Sequence, residues 1–319
     1  MTSVVLLLLF IWADSPAHSD TPLELVLKGA TSTELAPHGE GNVYAPDVHI
    51  EGDRYRMWYG GQGKDGHDRI HLAESHDGRH WDCKGVVLMD RQANHVNDPS
   101  VVRVGDMYFM FYTRAARGIF DEIALATSKD GIRWERKGVM LHRGSPGEWD
   151  SLLVGRPSVI HEGGQFKMWY DGRKDLQPGA LAEDAPTSSG SHRFVGYATS
   201  KDGTVWTKYG RNPVFAHDAG GVDVKRLPQG YVMLYESHEG TNVAVSVDGI
   251  TWRDRGLWIP RSGGEIDRHG HVTPMLLIEQ GGRPALLFIG AARTSSWDRN
   301  QIVKIRLEPA RLTELFSGR

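Results

Sequence analysis

The stretch Ser75-His76-Asp77-Gly78-Arg79-His80-Trp81 decides how the rest of the chain is read, because it returns three more times. Ser128–Trp134, Ser200–Trp206 and Ser246–Trp252 keep the form Ser-x-Asp-Gly-x-x-Trp, with starts 53, 72 and 46 residues apart. A period of about 50 residues marks a repeat architecture with one supersecondary unit per repeat. Each copy follows an alternating apolar stretch such as Ile70-His71-Leu72-Ala73 or Val243-Ala244-Val245. Asp-Gly supplies the positive-φ positions of a tight hairpin turn, and the tryptophan then enters the next strand. The motif therefore reads as structure: a turn, and an aromatic wedge between neighbouring sheets.

A second unit repeats upstream of the first. Ala45-Pro46-Asp47-Val48 leads to Met57-Trp58-Tyr59, Asp98-Pro99-Ser100-Val101 to Met110-Phe111-Tyr112, and Arg156-Pro157-Ser158-Val159 to Met168-Trp169-Tyr170. Val222-Asp223-Val224 leads to Leu234-Tyr235, and Thr273-Pro274-Met275 to Leu286-Leu287-Phe288. Each unit reads strand, turn, strand, loop, strand, Asp-Gly turn, strand. Five such units predict an all-β chain, a five-bladed β-propeller of four-stranded antiparallel blades. No long stretch holds a 3.6-residue apolar period; Pro309–Phe316 is the one short helix expected.

Composition removes several function classes. Of 319 residues, 39% are hydrophobic, enough for a large core. The 37 basic residues are outnumbered by 40 acidic ones, so no basic face for nucleic acid is expected. Cys83 is the single cysteine and excludes an internal disulfide. The chain has no Gly-x-Gly-x-x-Gly at a strand–helix junction, no phosphate-binding P-loop and no Gly-x-Ser-x-Gly elbow, so neither a nucleotide cofactor nor a serine hydrolase is expected. His269 and His271 share one face of a strand, but no third ligand stands at a zinc-type spacing, and no metal or other cofactor is assigned. Val4–Ala13 is too short to span a bilayer and precedes a small-residue stretch ending at Ser19, although no Lys or Arg precedes it. Residues 1–19 therefore read as a signal peptide of an exported, periplasmic or extracellular protein, and 20–319 as one domain with a long loop at 174–193 in the third blade.

Propeller geometry brings the starts of the inner strands and the ends of the second strands to one face. The first set holds Asp47, Asp98, Arg156, Asp223, His271 and Thr273; the second holds Arg114, Asp171, Arg173, Glu236 and His238. An unpaired buried carboxylate costs several kcal/mol, so acids converging on one axis are poor core filler. Two carboxylates in different environments can act as acid and base, the requirement of glycoside hydrolysis. Candidate catalytic residues are Asp47, Asp98, Asp223, Glu236 and His271, with Asp47 or Asp98 activating water or steadying the transition state and Asp223, Glu236 or His271 donating the proton. Arg114, Asp150, Arg156, Asp171, Arg173 and His269 are candidate substrate contacts, and Trp58, Trp149 and Trp169 candidate stacking surfaces for sugar rings.

The layout resembles the five-bladed propeller glycosidases, glycoside hydrolase families 43, 32, 117 and 130. Tyr44-Ala45-Pro46-Asp47-Val48 with Tyr55–Tyr59 is similar to an Ala-Pro-Asp blade of family 43, and Asn97-Asp98-Pro99-Ser100 to the Asp-Pro blade starts of families 43 and 32. The chain departs from family 43 in lacking a Glu-Gly-Pro blade start; Asp223 and Glu236 stand in that blade. His269-Gly270-His271 suits the family 117 variant, in which a histidine serves as acid. The resemblance implies an exported hydrolase acting on a poly- or oligosaccharide, with a phosphorylase like family 130 or a non-catalytic carbohydrate-binding propeller as alternatives. The expected partner is a carbohydrate, with no nucleic acid and no membrane after processing; the sequence leaves the oligomeric state open.

Overall fold

The computed structural model describes residues 22–30, 34, 38–116, 119–174, 193–278 and 285–317. The expected signal peptide lies outside them, as does the 174–193 loop apart from Lys174 and Arg193.

The period-2 stretches form strands that pair antiparallel in chain order. β1 (Glu24–Leu27) stands first; β2 (Val43–Glu51), β3 (Arg54–Gln62), β4 (Asp68–Ser75) and β5 (Asp82–Leu88) pair consecutively. The next consecutive run is β6 (His95–Val104), β7 (Met107–Ala116), β8 (Phe120–Ser128) and β9 (Glu135–Leu141). A third joins β10 (Leu153–Glu162), β11 (Gln165–Arg173), β12 (Phe194–Ser200) and β13 (Trp206–Lys208). A fourth joins β14 (Asp223–Leu227), β15 (Gly230–Ser237), β16 (Gly240–Ser246) and β17 (Trp252–Pro260). The last contains β18 (His271–Leu277), β19 (Leu286–Ala292) and β20 (Asn300–Arg306), and β1 adds to β20 as its outer strand. The short terminal helix, α1 (Pro309–Glu314), forms where expected.

The apolar residues sort into clusters that each join neighbouring runs. Met57, Tyr59 and Ala73 pack with Leu286 and Phe288; Trp58 and Leu72 pack with Met110 and Ala126. Phe111 and Leu125 face Met168, Trp169 faces Met233, and Leu234 faces Leu287. Each sheet thus buries both faces against two neighbours, and the contacts return to their starting point. This explains why β18 and β19 are buried throughout while the outer strands β5 and β9 begin with exposed residues.

The Ser-x-Asp-Gly-x-x-Trp boxes perform the structural role the sequence gives them, in connections longer than a two-residue hairpin. In the second copy Ser128 Oγ accepts the Gly131 N–H at 2.8 Å, and Asp130 Oδ1 accepts the N–H groups of Ile132 and Arg133 at 2.9 and 2.8 Å. Gly131 has φ of +72°, a conformation that glycine adopts without steric cost. Its carbonyl accepts two indole N–H groups, from Trp134 in its own box and from Trp58 of the preceding run at 2.9 Å. Gly249 repeats the arrangement with Trp252 and Trp169. Trp58 and Trp169 are wholly buried in these locks. The expectation that they stack on sugar is therefore corrected: their faces and their N–H donors are already used between sheets.

Candidate active site

The inner strands share one irregularity. Ala45, Asp98, Arg156 and Thr273 each precede a proline, and their φ values are +50, +52, +45 and +44°. Gly221, two residues before Asp223, has φ of +59°. At the same places the pairing slips between Tyr44 and Asp47, Asn97 and Ser100, Gly155 and Ser158, and Val272 and Met275. These are bulges, and a proline fits one because it has no N–H to lose from the ladder. Left-handed backbone at a non-glycine residue costs roughly 1 kcal/mol or more, and such strain concentrates at functional sites.

The residues on either side of these prolines behave differently. Asp47 accepts the Val101 N–H, Ser100 Oγ the Val159 N–H at 2.9 Å, Ser158 Oγ the Val224 N–H at 2.8 Å, and Asp223 Oδ2 the Leu276 N–H at 2.8 Å. Asp47 and Asp223 thus occupy the same stapling position as two serines, each tying one inner strand to the next. Lys225 lies 2.8 Å from Asp223 and His49 lies 3.6 Å from Asp47. Burial pushes the Asp47 carboxyl up, but His49, Lys225 and the Val101 N–H outweigh it and hold it below its ordinary value. For Asp223 burial prevails over Lys225 and the carboxyl is raised. Both acids line an axial cavity of about 40 Å³. That is room for about one water rather than a sugar ring.

Asp98, on the other side of its proline, is 5% exposed, and neither carboxylate oxygen has a hydrogen-bond partner. His95 Nε2 faces it at 3.6 Å, and the other ring nitrogen of His95 is bonded to Asp68 Oδ2 at 2.5 Å. Tyr44 Oη donates to the same Asp68 oxygen at 3.4 Å. Burial raises the Asp98 carboxyl, but the charges of His95 and Arg156 hold it below its ordinary value.

Arg156 is the centre of the opposite side. Its backbone N–H donates to Thr113 Oγ1 at 2.7 Å, and its guanidinium lies 2.6 Å from Asp171 and 3.6 Å from Glu236. Glu236 Oε1 also takes Arg193 at 2.7 Å, its Oε2 accepts the Thr273 N–H at 3.1 Å, and Arg173 lies 3.4 Å from Asp171. Thr113 and Asp171 hold one register position, facing Asn97 and Gly155, and Glu236 bonds to Gly220 at the matching place. The strands therefore deliver a ring of polar side chains around the axis by repetition. A Cβ at Gly221 would lie 2.4 Å from Glu236 Oε2, so that position has room only for glycine.

Of the residues nominated from sequence, Asp47, Asp98, Arg156 and Asp223 line the axial cavity, and Asp171, Arg173 and Glu236 join it through Arg156. The others lie in different surroundings. His271 is wholly buried between Thr241 at 2.9 Å and Asp267 at 3.2 Å. Its nitrogens serve the packing of β16 against β18 rather than a ligand, which corrects its nomination as a proton donor. Arg114 is tied to Asp90 and Glu122 and lies over Phe120. Asp150 is buried against Lys208 and Tyr170, and Trp149 packs beside Tyr170 and Phe194. The His269 carbonyl accepts from Trp297 and His238. Sequence reasoning did not single out His95, Asp68, Tyr44 or Arg193. His95 stands three residues before Asp98, where only the bulge turns both side chains together.

The chain is similar to several known proteins. The model of a family described as beta-1,4-mannooligosaccharide phosphorylase matches residues 26–143. An uncharacterized protein of Mycobacterium tuberculosis is 37% identical over 140 residues, 40% of this chain and 45% of that protein. A 1,2-beta-oligomannan phosphorylase of a Thermoanaerobacter species is 32% identical over 104 residues, 28% of this chain and 34% of that protein. The chain thus spans less than half the length of these curated relatives. Among solved structures, one described as a glycoside hydrolase superposes with a TM-score of 0.70 at 21% identity, covering 91% of this chain and 92% of that protein. A structure from work on family 130, reporting that these mannoside phosphorylases include hydrolases of beta-1,2 mannosidic linkages in Candida mannan, gives 0.65 at 15% identity, covering 94% and 99%. The resemblance to the propeller glycosidases therefore holds, and the fold is the all-β fold of these glycoside hydrolases.

Proposed function

We propose that the chain is a five-bladed propeller of four-stranded blades that hydrolyses glycosidic bonds of a mannose-containing oligosaccharide, with Asp98 as the carboxylate that activates the attacking water. The observation that carries this reading is the Asp98 carboxyl: lining the axial cavity, on a strained bulge, and held ionised beside His95 and Arg156. Asp98, held as a carboxylate by His95 and Arg156, takes the proton of the water that attacks the anomeric carbon, and the departing glycosidic oxygen takes a proton from solvent water as its bond breaks. Asp171, whose Oδ1 has no hydrogen-bond partner, orients the attacking water, and Glu236 with Asp171 holds the Arg156 guanidinium in place beside the site. General base assistance of this kind contributes roughly 10²–10⁴ in rate. Asp47 and Asp223 hold the inner strands together beneath the site.

Charge balance favours water over phosphate as the acceptor. Among the described residues around the axis, Arg156, Arg173 and Arg193 each face a carboxylate: Asp171, Glu236 or Asp218. An incoming phosphate dianion meets acids that are already there. Phosphorolysis is the second reading, supported by the description of the matching family and by the oligomannan phosphorylase relative. The matched residues, 26–143, include Asp98 but stop before all three arginines. Incubation with β-mannooligosaccharides with and without inorganic phosphate tests the reading: free mannose in phosphate-free buffer is expected. Mannose 1-phosphate formed only when phosphate is added overturns the hydrolytic assignment, and no cleavage of any mannoside overturns the whole proposal.

A further inference from the structure

A second cavity, between the first and last sheets, is far larger than the axial one: about 510 Å³ against about 40 Å³. A cavity of that size takes a small-molecule ligand. It forms where β3 runs into β4, where β19 runs into β20, and where the chain enters β2. In an antiparallel sheet these points lie at the same end as the starts of the inner strands, so both cavities belong to one face. Asn42 in its lining stands three residues before Ala45 in the axial lining, about 10 Å along an extended strand.

The two cavities differ in charge. At the axis, Arg156, Arg173 and Arg193 each face a carboxylate. The second cavity is lined by Lys64, Arg293 and Arg299, all exposed, and among the described residues none of the three forms an ion pair. Asp298, the one acid in the lining, accepts from Thr294 Oγ1 at 2.5 Å and Ser296 Oγ at 2.8 Å, and the charge of Arg299 acts on it. Acids beside the rim are occupied too: Asp65 holds Arg69, and Glu40 lies 2.9 Å from His71. Lys64 and Arg293 are thus left without a counter-charge, in a chain whose overall charge is −3.

The same wall holds an unused acceptor. Asn300 is 3% exposed and lines the cavity. Its Nδ2 donates to the Trp297 carbonyl at 2.6 Å, while its Oδ1 has no hydrogen-bond partner among the described residues. A buried acceptor without a donor is destabilising, and a ligand hydroxyl would satisfy it.

We propose that this cavity is a second carbohydrate-binding site that takes an acidic saccharide, with Lys64 and Arg293 on its carboxylate or phosphate and Asn300 Oδ1 accepting from one of its hydroxyls. That the ligand is a saccharide rests on the reading of the chain as sugar-cleaving; that it is anionic rests on the cavity alone. Carboxylate and phosphate offer the same chemistry, paired anionic oxygens that a guanidinium meets with parallel N–H donors.

Calorimetric titration of the full chain tests this with four probes: trigalacturonate, mannose 6-phosphate, neutral mannotriose and inorganic phosphate. Wild type is expected to bind at least one acidic sugar, more weakly as salt is raised. The double variant Lys64→Gln, Arg293→Gln is expected to bind that sugar about tenfold more weakly or worse, with mannotriose binding and melting temperature unchanged. The acidic sugar that responds distinguishes carboxylate from phosphate. The proposal is overturned if wild type binds neither acidic sugar, or if the double variant binds them as wild type does. Inorganic phosphate bound as tightly as mannose 6-phosphate, with trigalacturonate unbound, means an adventitious ion only and also overturns it. Cleavage is measured apart from binding: if no mannoside is cleaved while an acidic sugar still binds through Lys64 and Arg293, the sugar-cleaving reading fails and the second site stands.

Discussion

Asp98 differs from Asp47 and Asp223 in what its oxygens already hold. The latter two accept buried backbone N–H groups of a neighbouring strand, whereas Asp98 accepts none from the protein. Asp98→Asn is expected to lower kcat by roughly 10²–10⁴ with the melting temperature nearly unchanged, read by product release and calorimetry. Asp47→Ala and Asp223→Ala leave a buried donor unpaired and are expected to cost about 1–3 kcal/mol each in urea unfolding, with KM retained. The two acids also respond to pH with opposite sign. The Asp47 carboxyl is lowered, so its contribution to stability is present above the ordinary carboxylate pKa and is lost as pH falls through its folded value. The Asp223 carboxyl is raised, so its contribution is present at low pH and is lost as pH rises through its folded value. Melting temperatures taken through the acid range should fall less steeply for Asp47→Asn than for wild type; parallel curves would deny the lowered carboxyl.

At the level of the element, the repeats were legible because their determinants are local. A serine, an aspartate, a glycine and a tryptophan at fixed offsets close each connection with their own hydrogen bonds. Asp-Pro at the start of a strand pointed to Asp98 for the same reason. The distinction between Ala45-Pro46-Asp47 and Asp98-Pro99-Ser100 was not legible. Whether an acid stands before or after the proline decides its fate, but the reason is a bulge and an N–H group more than 50 residues away. Trp58 and Trp169 illustrate the same limit, since the carbonyls that occupy their indoles belong to the box of the following repeat, 73 and 80 residues along the chain. The locking glycines give a direct check. A Cβ at Gly131 would sit 2.8 Å from Arg56 Nη1 and 3.0 Å from the Trp58 ring, in left-handed backbone. Gly131→Ala is expected to destabilise by more than about 1 kcal/mol in urea, and the same change at a glycine with open surroundings outside the left-handed region, Gly210, by less.

For the whole molecule, stability depends on the last sheet being completed by the first strand. Leu25 pairs with Val303, Asn42 Oδ1 accepts the Asn300 N–H at 2.6 Å, and Lys304 Nζ donates to the Gly78 carbonyl at 2.7 Å. Leu25 itself is 49% exposed, so Leu25→Pro tests the backbone ladder rather than the core. A lower urea midpoint is expected from the fixed φ of the ring within the ladder; an unchanged midpoint would show that closure contributes little. The same ring of sheets carries the inner strands to one axis, and the functional proposal depends on what they present there. The most direct measurement is a crystal structure of the Asp98→Asn variant soaked with a β-mannooligosaccharide. The account predicts a sugar over the axis, with its scissile linkage beside the substituted side chain and Arg156. A sugar bound only on the outer edges of the sheets, away from that residue, would contradict it.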